Sequence, residues 1–138
     1  MMDTNTEKKV FSTKIDVHIS YINYGDHLGN DSFISIIHEA RIRFLNSLGC
    51  TEKDIEGTGI IQKNLYVDYL KQVYYGDVLT VDTSISELNK ASMKLAYNLF
   101  NKNNEHVLFS ETLIVFYDYE RNKIVKTPKL LFDLWESN

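Results

Sequence analysis

Residues 23–49 read NYGDHLGNDSFISIIHEARIRFLNSLG, and this stretch decides what the rest of the chain can be. Gly25 and Gly29 stand among Asn, Asp and His residues, a composition that breaks regular structure and permits unusual backbone angles. Apolar residues then recur at 33, 36, 37, 40, 44 and 48, the spacing of a helix, and Gly49 supplies its stop. Asn30, Asp31 and Ser32 are all suited to cap the start of that helix. A second apolar set, Ile34, Ile42 and Leu45, leaves only Ser35, Glu39, Arg43 and Asn46 as a narrow polar stripe. A helix so nearly apolar all round is expected to be surrounded by protein.

On the N-terminal side, Phe11, Thr13, Ile15, Val17, Ile19 and Tyr21 alternate with Ser12, Lys14, Asp16, His18 and Ser20, the period of two of a half-buried strand. On the C-terminal side, the polar connector TEKDIEGTG leads into strand-like text over roughly 60–72, 77–89, 91–102 and 105–119. Tyr74 to Asp77 reads as a bend between the first two, and 124–126 as a last short strand. Pro128 then opens a closing helix, KLLFDLWE. One strand, one long helix and a run of adjacent strands predict an α+β fold, the helix packed on one face of an antiparallel sheet. Residues 1–138 are expected to form one domain, whose open sheet edges favour pairing with a second copy.

Composition narrows the function. The chain has 43% hydrophobic residues, enough for a packed core, and 15 Lys and Arg against 19 Asp and Glu, a formal charge of −4 that offers no footprint for a phosphate backbone. Nucleic acid is therefore not an expected partner. Nine tyrosines and seven phenylalanines fall mostly at strand positions, which suits packing better than base stacking. Cys50 is the one cysteine, a spare thiol just after the helix, and no His/Cys cluster at metal-ligand spacing accompanies it. The opening MMDTNTEKKV leads into no apolar run, and no greasy stretch is long enough to span a bilayer, so a cytoplasmic protein is expected. GxGxxG, P-loop, GxSxG and HExxH patterns are absent from the sequence.

Chemistry concentrates in the loop 23–31, at the entrance to the apolar helix. Backbone N–H groups at a helix start lack intrahelical acceptors and sit at the positive end of the dipole, so they can bind a developing oxyanion. His27 could donate to or deprotonate a reacting group, Asp26 or Asp31 could activate water, and Asn23 could orient it. The same residues also serve as ordinary caps and turn formers. Glu39 lies two turns into the helix, where pairing with Arg43 competes with a catalytic role. His38, near Ile34, Ile42 and Leu45 on the wheel, reads as a hydrogen-bonded packing residue.

NYGDHLGND entering the helix, HEARIRFLNSLG ending it, and YVDYLKQVYYGDVLTVDTSI together resemble the hot-dog acyl-CoA thioesterases of the 4-hydroxybenzoyl-CoA-thioesterase-like branch, from about residue 9 to residue 134. The resemblance implies an antiparallel sheet of five to six strands wrapped round one long central helix. It also implies a homodimer with active sites at the subunit interface, or a tetramer built as a dimer of dimers, and a coenzyme A or acyl-carrier thioester as substrate. No metal or separate cofactor is implied. Aligned with the family's Glu-Glu-Ala-Arg pattern, HEAR puts Asn23 where the aromatic-acyl enzymes have a catalytic aspartate. His27, Asn30 and Glu39 fall on family motif positions.

The resemblance therefore moves the base to Asp31 or Glu39, with Asn23 and His27 positioning water and carbonyl. Tyr24, Asp26, Gly29 and Asn30 are expected to contact substrate. The leading expectation is thioester hydrolysis to free acid and thiol. The rivals are a hot-dog enoyl-thioester hydratase or dehydratase, using His27 with Glu39, and a non-catalytic acyl-thioester-binding module.

Overall fold

The computed structural model describes residues 11–137, so the opening segment on which the reading of a leader rests lies outside the described residues. Six strands form one antiparallel sheet: β1 (Phe11–Asp16), β2 (Gly59–Tyr69), β3 (Val78–Leu88), β4 (Ser92–Phe100), β5 (His106–Asp118) and β6 (Lys123–Val125). The order is β1-β3-β4-β5-β2, and β6 pairs with the end of β5. Two helices complete the chain, α1 (Asn30–Ser47) and α2 (Lys129–Glu136).

Period-two alternation sets the buried face. Tyr97 lies opposite both Thr83 and Ser110, Leu95 opposite Ile85 and Thr112, and Leu99 opposite Val81 and Leu108. All nine are buried. Helix α1 contributes Phe33, Ile36, Ile37, Ala40, Phe44 and Leu45 to the same core, at spacings of three and four. Each large side chain so buried is worth roughly 1.5–3 kcal/mol against leaving it exposed. A bulge in β2 skips Lys63, so that Gln62 opposite Ile114 and Leu65 opposite Thr112 both face the core side.

A polar chain leads from this interior to the surface. Arg41, 8% exposed, donates from Nε to Glu52 Oε2 at 2.7 Å and from Nη1 to Gln62 Oε1 at 3.0 Å. Glu52 also holds His38 at 2.9 Å, and the Tyr97 hydroxyl lies 3.1 Å from Thr112 Oγ1. Burial alone would push the Glu52 carboxyl up, but its hydrogen bonds to His38 and Arg41 outweigh this and hold it below the usual carboxylate range. Burial, opposed by the adjacent Arg41 and Thr112, leaves the Tyr97 phenol raised. The chain ties α1 to the connector after it and to β2.

Three expectations need correction. Strand one stops at Asp16 rather than running to Tyr21. Val17 N–H still bonds to the Asp77 carbonyl, but Tyr21 and Ile22 N–H groups then close onto the carbonyls of His18 and Ile19, a tight 3₁₀ turn that leaves Ile19 exposed. Helix α1 is not enclosed on every side by the described residues of one copy, which leave Ile34 and Ile42 41% and 38% exposed on either side of His38. Its start is capped by none of Asn30, Asp31 and Ser32; Gly29 occupies the cap position, with no side-chain bond to the first turn.

Candidate active site at the start of helix α1

The loop ahead of α1 is a closed turn. Asp26 N–H bonds to the Asn23 carbonyl at 3.2 Å, Asn23 N–H to the His27 carbonyl at 3.0 Å, and Ile22 bridges Leu28. The Asn23 side-chain oxygen accepts from Gly25 N–H at 2.9 Å, which leaves its amide NH₂ as the free end. Asp26 adopts φ +63°, a conformation Asp tolerates better than most residues. The turn is docked against the bend after β2, with Leu28 N–H on the Val73 carbonyl at 2.6 Å and His27 bridging Tyr74.

Two close approaches fix the polar side chains. A Cβ on Gly25 would stand 3.0 Å from His27 Cδ2 and Nε2, so the imidazole lies over this glycine. Its Nδ1 is 3.1 Å from the Leu28 carbonyl. A carbonyl can only accept, so Nδ1 carries the proton, and in the neutral ring Nε2 is left as an acceptor. A Cβ on Gly29 would stand 2.8 Å from Asp31 Oδ1 and 3.8 Å from Asn23 Cβ, so the Asp31 carboxylate folds back over the helix start beside Asn23. No larger residue at 29 leaves room for it there.

The helix start itself is open. Ser32 and Phe33 N–H groups bond to the Gly29 carbonyl at 3.0 and 3.3 Å, and no acceptor among the described residues takes the N–H groups of Asn30 and Asp31. A groove of about 340 Å³ lies alongside, lined by His27, Leu28, Asn30, Phe33, Tyr69 and the segment 70–72. Tyr69, the last residue of β2, donates to the Asn30 carbonyl at 3.0 Å and sets its ring edge-on to Phe33 at 5.7 Å.

Of the residues singled out from sequence, the structure brings Asn23, His27, Gly29, Asn30 and Asp31 together at this helix start. Tyr24 and Asp26 stand at the exposed tip of the turn, outside the groove lining. Glu39 lies elsewhere. Its carboxylate is ion-paired with Arg43, which also donates to Thr13 Oγ1 and the Lys14 carbonyl and so fastens α1 to β1. His38 is exposed and bonded to Glu52, a hydrogen-bonded residue that packs less than its wheel position suggests. Tyr69 and the 70–72 segment were not readable as groove residues, because only the pairing of the loop with Val73 and Tyr74 brings them there. Among the described residues no group of three or more His, Cys, Asp or Glu could hold a metal. No helix of the described chain is long and apolar enough to cross a membrane.

Residues 17–132 match the family model of the thioesterase-like superfamily. This chain belongs to that superfamily. A curated protein of Aquifex aeolicus (strain VF5), whose name classes it with the esterases, is 24% identical over 107 residues, 76% of this chain and 81% of its own. A Staphylococcus aureus protein solved in complex with CoA superposes with a TM-score of 0.83 at 18% identity, over 98% of this chain and 86% of that one. A 1,4-dihydroxy-2-naphthoyl-CoA thioesterase from Synechocystis gives 0.82 at 15% identity, over 92% and 96%. The six-stranded antiparallel sheet with its helices is the hot-dog architecture of these thioesterases.

Proposed function

We propose that this member of the superfamily hydrolyses an acyl thioester to a free acid and a thiol at the start of α1. The observation that carries the reading is the uncapped helix start, with two unspent N–H groups opening beside a groove and next to the Asp31 carboxylate and His27 Nε2. A thioester carbonyl set in the groove with its oxygen toward the Asn30 and Asp31 N–H groups is polarised by them. Water held between Asp31 and His27 loses its proton to the carboxylate as its oxygen bonds to the carbonyl carbon. The tetrahedral oxyanion collapses, the C–S bond breaks, and the sulfur leaves with a proton returned from the site. The free amide end of Asn23 orients the attacking water. Asn30 and Gly29 contact substrate through backbone, and Tyr24 and Asp26 frame the outer rim.

Asp31 is preferred over Glu39 as the base, since Glu39 is committed to Arg43. The same pairing removes the partner that a His27–Glu39 hydratase would use. Coenzyme A is the favoured thiol, because the related structures include a CoA complex and a CoA thioesterase. A second depression of about 500 Å³ continues the groove past Lys71 and Gln72, room for the carrier beyond the thioester.

In this reading residues 1–138 are one hot-dog domain with the sheet curled round α1 as its central helix, working in the cytoplasm without a separate cofactor. A second copy pairs along β2, which has a strand on one side only among the described residues, and covers Ile34 and Ile42. A dimer of dimers is the larger assembly.

The test is thiol release, followed with a thiol-reactive dye, over short, medium, long and aromatic acyl-CoAs and one carrier-bound thioester. Thiol released from a CoA thioester is the expected result. Loss of enoyl absorbance without thiol would make the protein a hydratase, and neither signal would make it a binding module.

A further inference from the structure

The groove-lining residue with the most direct hold on the helix start is Tyr69. Its hydroxyl reaches the Asn30 carbonyl at 3.0 Å across 39 residues of sequence. That carbonyl and the Asp31 N–H belong to one peptide unit, planar and trans, in which C=O and N–H point in opposite directions. The carbonyl oxygen has two lone pairs, so it can serve the helix ladder and also accept from Tyr69. A hydrogen bond accepted at one end of a peptide withdraws electron density from the other and makes the N–H a stronger donor. The Asp31 N–H is one of the two N–H groups at the helix start that no described residue accepts from.

We infer that Tyr69 is a positioning residue for thioester hydrolysis: by donating to the Asn30 carbonyl it orients the Asn30–Asp31 peptide and strengthens the Asp31 N–H as an oxyanion donor. The inference rests on the hydrolase reading of this site. The ring is held independently of the hydroxyl, edge-on to Phe33 with centroids 5.7 Å apart, and its backbone is paired with Leu108 in the sheet. Removing the hydroxyl therefore leaves the ring in place. The hydroxyl makes no contribution to the polar chain around Arg41, which engages Glu52, Gln62, Tyr97 and Thr112 instead. Its bond acts on the peptide that faces the reacting carbonyl, and its effect belongs in the transition state, where charge on oxygen is greatest.

The experiment compares the wild-type chain with Tyr69→Phe and with the same position replaced by 3-fluorotyrosine, whose more acidic hydroxyl is a better donor. Steady-state thiol release from the best acyl-CoA of the panel should give kcat in the order Phe, Tyr, fluorotyrosine. Tyr69→Phe should fall about fivefold, the rate equivalent of one neutral hydrogen bond, with KM and thermal midpoint little changed. Amide NMR of the unliganded protein supplies a readout that needs no turnover. Tyr69→Phe should move the Asp31 N–H resonance well beyond that of Asn30, whose N–H belongs to the preceding peptide. An unmoved Asp31 resonance overturns the inference, as does a change in KM or thermal midpoint with kcat held. If the wild-type chain releases no thiol from any substrate, the hydrolase reading and this role in it fail together. The Asp31 resonance then still reports whether the hydrogen bond exists, which keeps the two failures apart.

Discussion

Helix α1 carries two polar clusters, one at its start and one at its middle, and they are built on opposite terms. At the middle, Arg41 is buried and its donors are taken by Glu52 and Gln62, while Glu52 is taken in turn by His38. At the start, Asp31 and Asn23 are exposed, His27 keeps a free ring nitrogen, and two backbone N–H groups have no acceptor among the described residues. A polar group inside a protein is costly unless bonded, so the buried Arg41 at the middle spends its Nε and Nη1 bonds on holding elements together. The start of the helix leaves its bonds unspent, which is what a site for a reacting carbonyl and water requires.

Breaking the middle cluster should give the largest change in stability. Arg41→Ala removes a buried side chain and the hydrogen bonds by which it ties Glu52 and Gln62 to α1, and should lower unfolding free energy by about 2 kcal/mol, read by urea denaturation. Any activity lost should track the unfolded fraction. Gly29→Ala attacks the other end. Its backbone, φ −68° and ψ 149°, accepts alanine, but the new methyl displaces Asp31. Thiol release should fall about tenfold, near 1.4 kcal/mol in the barrier, with the thermal midpoint nearly unchanged.

The smallest effect is a pH dependence. Glu52 titrates lower in the folded chain than when unfolded, so its stabilisation is fully present above the ordinary carboxylate range and is lost as pH falls through its depressed folded value. Denaturation midpoints of the wild-type chain should fall on acidification through that window more than those of Glu52→Gln. Parallel curves for the two would remove Glu52 from the account of the middle cluster.

Much of this contrast is legible in the amino-acid sequence. The 3.6 period over Phe33 to Leu48 and the period of two after Gly59 both follow from burial on one face, and burial is written in residue type. The polar loop at the head of an apolar helix located the helix start, and Asp31 and His27 with it. What could not be read was long-range or conformational. Asn30, Asp31 and Ser32 look like caps by composition, yet the tight turn from Asn23 to His27 puts Gly29 at the cap and leaves the donors open. Gln62 joins its cluster through the pairing of β2 with β5 and a one-residue bulge, and Tyr69 joins the other through the docking of the loop on Val73 and Tyr74. The partner of Arg41 is Glu52, eleven positions on, a spacing that no helical rule connects.

The central claim is that the free carboxylate at the start of α1 does the chemistry while the paired one further along it holds α1 to β1. Initial rates of thiol release by Asp31→Ala and Glu39→Ala, measured side by side on one acyl-CoA, test it most directly. Asp31→Ala should lose at least about a hundredfold, the usual share of a general base, and Glu39→Ala should stay within about threefold of the wild-type rate. A full rate in Asp31→Ala with loss in Glu39→Ala would contradict the account.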